Sequence, residues 1–474
     1  MNKANEEISS SKKWKILICV VTMTFMTCID GSIVNVALPM ISHDLNVSMA
    51  GVQWIVTSYL MTISVLILLC GRLGDIKGKC SVFKIGILIF TIGSLMGGIS
   101  KSLPLLIVAR VIQGTGAACT MANSMGIITS TFVKEGRGKA MGIAASAVAL
   151  GTMIGPALGG IIVSFRWDCI FYINIPIGII NFIASKFVLN EVQNDTKQKI
   201  DIRGTLVFAV FIVSIVLSVT EGEFKGYTSV PILLGFLISI ISFSIFIYLQ
   251  MTVKSPVLNL KLFKTKLFSL SVLCGCISFI GISCVSILLP FYLQDVLKMS
   301  PFETGMFLMI YPIALAIVSP FSGSLSDKLN AELISLIGIM LLTLGLFLMG
   351  TVKDETSIWI LGIYSVIMGV GNGIFKSPNN SLVMAEIKKN ELGIAGSVNS
   401  LLRNLGMVFG YTLATTLLYD RMSYKIGYQV DNYILGRNDV FIYGMDWVFI
   451  VAGVICSVAT IVAIIRYRKF SKVS

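Results

Sequence analysis

The chain has 474 residues, 55% of them hydrophobic and only 13% charged, with a mean hydropathy of +0.88. A soluble protein carries about 25% charged residues, so this composition excludes an ordinary soluble domain and points to a chain solvated largely by lipid. The formal net charge of +13 invites a nucleic-acid partner, and the placement of the basic residues decides whether that is right.

Fourteen apolar segments are long enough to cross a hydrocarbon core about 30 Å thick, at about 1.5 Å per helical residue. They cover 14–38, 50–70, 82–100, 104–130, 138–163, 169–189, 204–221, 230–250, 267–291, 303–323, 332–351, 357–384, 392–418 and 444–465. The first follows Lys12 and Lys13 like a signal peptide. It is too long for the apolar region of one, and no small-residue cleavage site interrupts it. With the N-terminus inside, the inner segments hold 26 Lys and Arg against 8 in the outer loops. Arg110, Lys376 and Arg403 remain within spans. That asymmetry predicts two cytoplasmic termini. The basic charge therefore reports topology, and no nucleic-acid partner is expected.

Six spans precede a polar stretch, Asn190 to Arg203, and two more spans follow it. The segment Pro256–Leu267, with Lys261, Lys264 and Lys266 among leucines, reads as an amphipathic helix on the inner membrane surface. Six further spans complete the chain. The expected organisation is a six-helix bundle at 1–189, a linker with two inserted helices and the interfacial segment at 190–266, and a second six-helix bundle with its tail at 267–474. The two bundles look duplicated. Gly71-Arg72-Leu73-Gly74-Asp75 returns as Gly323-Ser324-Leu325-Ser326-Asp327, 252 residues later. Gly114, Gly116, Gly138 and Ala140 return as Gly369, Gly371, Gly393 and Ala395, 255 residues later. Duplicated halves in a polytopic membrane protein suggest a transporter whose bundles rock around a site between them. A tyrosine-rich outer loop is expected at about 420–443.

Chemistry concentrates in a few places. Between spans two and three, the glycines Gly71, Gly74 and Gly78 permit a tight turn. Asp75 can accept from the next helix's amides or pair with a basic residue, latching the inner face. Asp30 is the one acid placed well inside a span, about 12 Å from its outer end, and Arg110 of span four lies about 9 Å down. An intramembrane charge is costly unless paired, and these two can meet. Gly151, Gly155, Pro156, Gly159 and Gly160 give span five a flat face for close helix contact and a proline that removes a backbone hydrogen bond. Polar residues of spans four, twelve and thirteen are candidates for a substrate cavity: Gln113, Asn123, Lys376, Asn379, Asn380, Asn399 and Arg403. Lys376 either snorkels to the surface or faces the cavity. Ten scattered cysteines and a single histidine, His43, offer no metal or redox spacing, and no metal or cofactor is expected.

Together these residues resemble the fourteen-span drug:proton antiporters of the major facilitator superfamily. The resemblance rests on residues 71–79, Arg110-Gln113-Gly114, the Gly-Pro run at 151–160 and Asp30-Gly31-Ser32-Ile33-Val34-Asn35-Val36-Ala37-Leu38-Pro39. Arg166-Trp167, Asn174-Ile175-Pro176 and Leu289-Pro290-Phe291-Tyr292-Leu293-Gln294 add to it. It implies an all-α membrane protein of the major facilitator fold, two six-helix bundles plus two inserted helices. It implies proton coupling at Asp30 and Arg110, gating at Gly71, Asp75, Gly78, Lys79 and Asp327, and an antiport motif at Gly151, Gly155, Pro156, Gly159 and Gly160. Ile76 and Cys80 depart from the family's basic cluster, and span thirteen lacks the acid some cation exporters carry there. The expected function is proton-driven export of small amphipathic, drug-like toxic compounds by a monomer in a bacterial plasma membrane. The rivals are a narrow exporter of one metabolite, lipid or antibiotic, and a non-transporting receptor or membrane enzyme. No Walker A motif is present and one histidine leaves few acid–base options, which disfavours an enzyme.

Overall fold

The computed structural model describes residues 10–132, 136–189, 201–253, 256–258, 260–326, 329–387 and 392–470. Asp327, most of the 190–203 linker, and both termini, Asn2 and Lys472, lie outside the described residues. The described residues form helices throughout. In the first half these are α1 (Ser10–Leu45), α2 (Met49–Lys77), α3 (Lys79–Gly98), α4 (Leu103–Thr131), α5 (Arg137–Val163), α6 (Cys169–Tyr172) and α7 (Asn174–Val188). Two further helices follow, α8 (Ile202–Lys225) and α9 (Val230–Thr252). The second half holds α10 (Lys266–Phe291), α11 (Pro301–Leu308), α12 (Ile310–Ser326), α13 (Ala331–Met349), α14 (Ile358–Ala385), α15 (Leu392–Ile426) and α16 (Asn438–Phe470). Thirteen helical segments among the described residues are long and apolar enough to cross a membrane. The sixth is α6 with α7, and the tenth is α11 with α12. α15 is 35 residues long, but Asn399, Arg403, Asn404, Thr412, Thr415 and Thr416 dilute its apolar character, and it is not among the thirteen.

Small residues let the helices approach, since lipid supplies no hydrophobic drive for one helix to prefer another. The duplication read in the sequence recurs as geometry. A Cβ on Gly114 would stand 2.9 Å from the Tyr59 carbonyl of α2, and one on Gly369 2.5 Å from the Tyr311 carbonyl of α12. Likewise Gly116 abuts the Gly86 carbonyl and Gly371 that of Gly338. Ala140 and Ala395 are both fully buried. α8 and α9 pack on each other through Phe208–Phe246 and Phe211–Phe243, each at 4.8 Å. α8 touches α2 and α15, and the pair turns Leu206, Ile240, Tyr248 and Met251 outward, as lipid-facing helices would.

Three expected details are corrected. Residues 71–77 are not a loop: α2 continues to Lys77 and α3 starts at Lys79, so Gly78 alone makes the turn, at φ 96° and ψ 125°. Leucine, arginine and lysine favour helix there, and only glycine adopts that φ freely. The amphipathic helix expected at 256–267 is a five-residue 3-10 turn, Leu260–Lys264, and Lys266 already opens α10. The outer loop expected at 420–443 shrinks to 427–437, because α15 runs on to Ile426 and α16 begins at Asn438. Lys425 donates to the Asp439 carbonyl at 2.7 Å, tying the two helix ends together.

The halves meet at the end of the bundle that carries His43. There Thr415 of α15 donates to Gln53 of α2, Gln294 donates to the Val36 carbonyl at 3.0 Å, and His43 Nε2 lies 2.9 Å from Asp295 Oδ1. α5 packs on α11 at the same end. Below this closure a central cavity of about 1180 Å³ opens between the halves, its lining reaching Gly142 and Met384 toward the opposite end, where Lys79 lies.

Candidate functional site

Asp30 of α1 is fully buried. Its Oδ2 accepts from Arg110 Nη1 at 2.6 Å, and its Oδ1 accepts from Gln113 Nε2 and from Asn174 Nδ2, both at 2.8 Å. Arg110 and Gln113 are three apart on α4 and so share a face; Asn174 opens α7. Arg110 also donates through Nε to the Ile55 carbonyl at 2.9 Å and through Nη1 to Gln113 Oε1 at 2.6 Å. Its guanidinium lies 4.0 Å from the centre of the Tyr59 ring. Gln113 donates on to Ser94 of α3 at 2.9 Å. The Nη2 of Arg110 is buried without a hydrogen-bond partner. One carboxylate therefore holds α1, α4 and α7 together. Arg110 and Tyr59 also line the central cavity, so the cluster stands at its wall.

The span-five motif serves two faces. Cβ atoms on Gly151, Gly155 and Gly159 would stand 2.8 Å from Cys28 Cβ, 2.9 Å from Ser32 Cβ and 3.0 Å from Ile33 Cγ1. These three glycines seat α5 on α1, within the first half. Gly160 points to the other half: its Cβ would meet the Pro301 carbonyl at 2.5 Å and Gly305 Cα at 3.2 Å. Pro156 reaches the same contact, with its carbonyl against Gly305.

The remaining candidates divide. Lys376, Asn380 and Arg403 line the central cavity, so Lys376 faces it. Asn399 lines a smaller side hollow and donates to Asn380 at 3.2 Å. Gln113 belongs to the Asp30 cluster and not to the cavity lining. Asn123, read as a cavity candidate, instead donates to the carbonyls of Cys70 and Cys119 at 3.1 and 2.9 Å, pinning α4 to α2. Asn379 lines only the side hollow; it donates to the Ser271 carbonyl at 3.0 Å and accepts from the fully buried Arg466 at 2.7 Å. Asp75 pairs with Lys79 at 3.2 Å, both half-exposed. A Cβ on Gly71 would stand 3.8 Å from Ala122 Cβ, and Gly74 packs on Asn123.

Several participants were not singled out from sequence. Asn174 stood inside a recognised tripeptide without a role. Tyr59 and Tyr311 lie 252 residues apart, at the same offset as the loop repeat, and extending that comparison finds both. Ser94 carries no sequence signal. Asp446 of α16 has a buried Oδ1 without a hydrogen-bond partner, and it lies near the edge of its expected span.

The family model described as Major Facilitator Superfamily matches residues 20–411 and 271–473. This chain belongs to the major facilitator superfamily. It is 33% identical over 466 residues to a protein named Riboflavin transporter RibZ from Clostridioides difficile, covering 97% of this chain and 99% of that one. It is 30% identical over 397 residues to Multidrug resistance protein Stp from Mycobacterium tuberculosis, covering 83% and 74%. With Multidrug transporter protein MdtP from Bacillus subtilis it shares 29% identity over 421 residues, covering 88% and 78%. The protein is thus a multi-pass membrane transporter of this superfamily, with its cavity between the two halves and, at the cavity wall, the one fully buried carboxylate among the described residues.

Proposed function

We propose that this transporter is a proton-coupled exporter of small amphipathic compounds, of the fourteen-span drug:proton antiporter type. α15 is counted as the fourteenth span. The division into bundles at 1–189 and 267–474 around an inserted pair, a monomeric state and two cytoplasmic termini in a bacterial plasma membrane belong to the same reading. The observation that carries it is the burial of Asp30 within reach of Arg110, Gln113 and Asn174 at the cavity wall. Buried intramembrane carboxylates are expensive and mark proton relays. In this reading Asp30 takes a proton when the cavity faces outward and Arg110 is drawn off. It releases the proton in the inward-facing arrangement, and with His43 taken as outside, the closed His43 end supports reading this structure as that arrangement. Gly160 against Gly305 forms part of the outer seal, and the Asp75–Lys79 pair belongs to the inner gate.

The test is substrate-induced proton release in reconstituted vesicles, with transport driven by a pH gradient. Asp30→Asn keeps the side chain's size but removes the site of proton exchange, and is expected to abolish uphill export while retaining part of substrate binding. Glu221 and Glu223, in the last turns of α8, are the rival carriers; Glu221 pairs with Lys225 at 2.9 Å and is half-exposed, and the Glu223 side chain lies outside the described residues. Wild-type coupling in Asp30→Asn together with loss in Glu221→Gln would reverse the assignment. A second reading, a narrow-specificity transporter, is supported by the relative named as a riboflavin transporter, which aligns along nearly the whole chain. A panel of unrelated compounds, including riboflavin, separates the two.

A further inference from the structure

Three cationic side chains face the central cavity, Arg110, Lys376 and Arg403, and no Asp or Glu is among the residues lining it. Arg110 is matched by Asp30 at 2.6 Å. Lys376 of α14 and Arg403 of α15 make no ion pair and no hydrogen bond among the described residues, and Arg403 Nε is buried without a partner. Charged side chains inside a membrane ordinarily pair with one another or with backbone carbonyls. These two do neither, yet both stand at one place: a side hollow of about 50 Å³ opening beside the main cavity. A single water needs about 10–15 Å³ by this kind of measure, so the hollow has room for a small polar head group. Its other polar lining includes Asn380, Asn399 and Ser400, whose amides and hydroxyl can donate to an oxyanion. Phe279 borders both spaces, and Tyr311, Tyr411 and Met407 continue the lining of the main cavity.

We infer that the hollow between α14 and α15 is an anion subsite, in which Lys376 and Arg403 bind the carboxylate or sulfonate of an amphipathic organic anion whose aromatic body lies in the central cavity. The guanidinium fork suits a carboxylate bidentately, while the lysine acts as a point charge. The same pair disfavours cationic compounds, since Asp30 at the cavity wall is already taken up by Arg110 and no Asp or Glu among the described residues lines the cavity to offset the pair. The inference rests on the transport reading but not on proton coupling.

Fluorescein and rhodamine 123 share a xanthene body and differ in charge, the first an anion and the second a cation. Their binding to the purified full-length protein in detergent, without any gradient, is read by fluorescence anisotropy. Fluorescein is expected to bind at least tenfold more tightly than rhodamine 123. Lys376→Gln and Arg403→Gln each weaken fluorescein several-fold, and the double variant removes the preference while rhodamine 123 binding persists or improves. Lys376→Arg and Arg403→Lys, which keep the charge, retain it. Equal affinity for the two dyes in the wild type, or an unchanged preference in the double variant, would overturn the proposal, as would loss of preference in the charge-preserving variants. Because no gradient is used, such a failure is distinct from failure of proton coupling, which Asp30→Asn reports.

Discussion

The Asp30–Arg110 pair permits a quantitative test of what holds the first half together. Both side chains are about fully buried, at 0% and 1% exposed. Removing one partner of such a pair leaves the other charge uncompensated, at a cost of about 3–5 kcal/mol. In Asp30→Asn the guanidinium keeps the Ile55 carbonyl, the Gln113 oxygen and the Tyr59 ring. In Arg110→Gln the carboxylate keeps the amides of Gln113 and Asn174. These residual partners place each single variant near the lower end, about 3 kcal/mol. The double variant removes both charges and leaves neutral groups that can bond each other, so its loss should fall short of the sum by at least about 2 kcal/mol, within the range of coupling for residues in one network. The assay is unfolding of the purified protein by sodium dodecyl sulfate in mixed micelles, followed by tryptophan fluorescence. Additive losses would refute the reasoning, because they would mean that the two charges do not stabilise one another despite their 2.6 Å separation.

Gly160→Leu should abolish transport while leaving the first half assembled, because the leucine strikes Pro301 and Gly305 across the interface between halves. Gly155→Leu should instead lower thermal stability, because it strikes Ser32 of α1 within one half; the same stability loss for both variants would sink the distinction. Asn123→Ala should cost about 1–3 kcal/mol of stability, since it removes the amide from the carbonyls of Cys70 and Cys119 and opens a polar gap. It should leave ligand affinity unchanged, and a tenfold loss of affinity would restore Asn123 as a cavity residue. Cysteines placed singly at 429–435 should react with an impermeant maleimide added outside intact cells, and labelling only after permeabilisation would overturn the proposed topology.

Much of the architecture was legible in the sequence because lipid imposes simple rules. A span must be helical, apolar and about twenty residues long, so the helical segments and their order could be read from hydropathy, though not where each helix ends. The duplication was visible because small residues recur where helices of each half approach, and Gly114 and Gly369 meet equivalent tyrosine carbonyls. The depth argument brought Asp30 and Arg110 within one turn of each other, because rise per residue is fixed along a helix. Other features needed the tertiary structure. Depth along a helix says nothing of the direction in which a side chain points around it, so Gln113, Asn123 and Lys376 could not be sorted in advance. Packing turned Gln113 to the carboxylate, Asn123 to a neighbouring helix and Lys376 to the cavity. Nor could one-dimensional spacing separate the glycines of α5, of which three lie against α1 and one against the opposite half. The length of α2 through residues 71–77 escaped because glycine-rich sequence permits a turn without requiring one, and the contacts of Gly71 with Ala122 and of Gly74 with Asn123 favour continued helix. The pattern of charge along the chain fixed what had to be neutralised, while the packing of helices around the cavity decided that Arg110 finds its counter-charge in Asp30 and that, among the described residues, Lys376 and Arg403 find none.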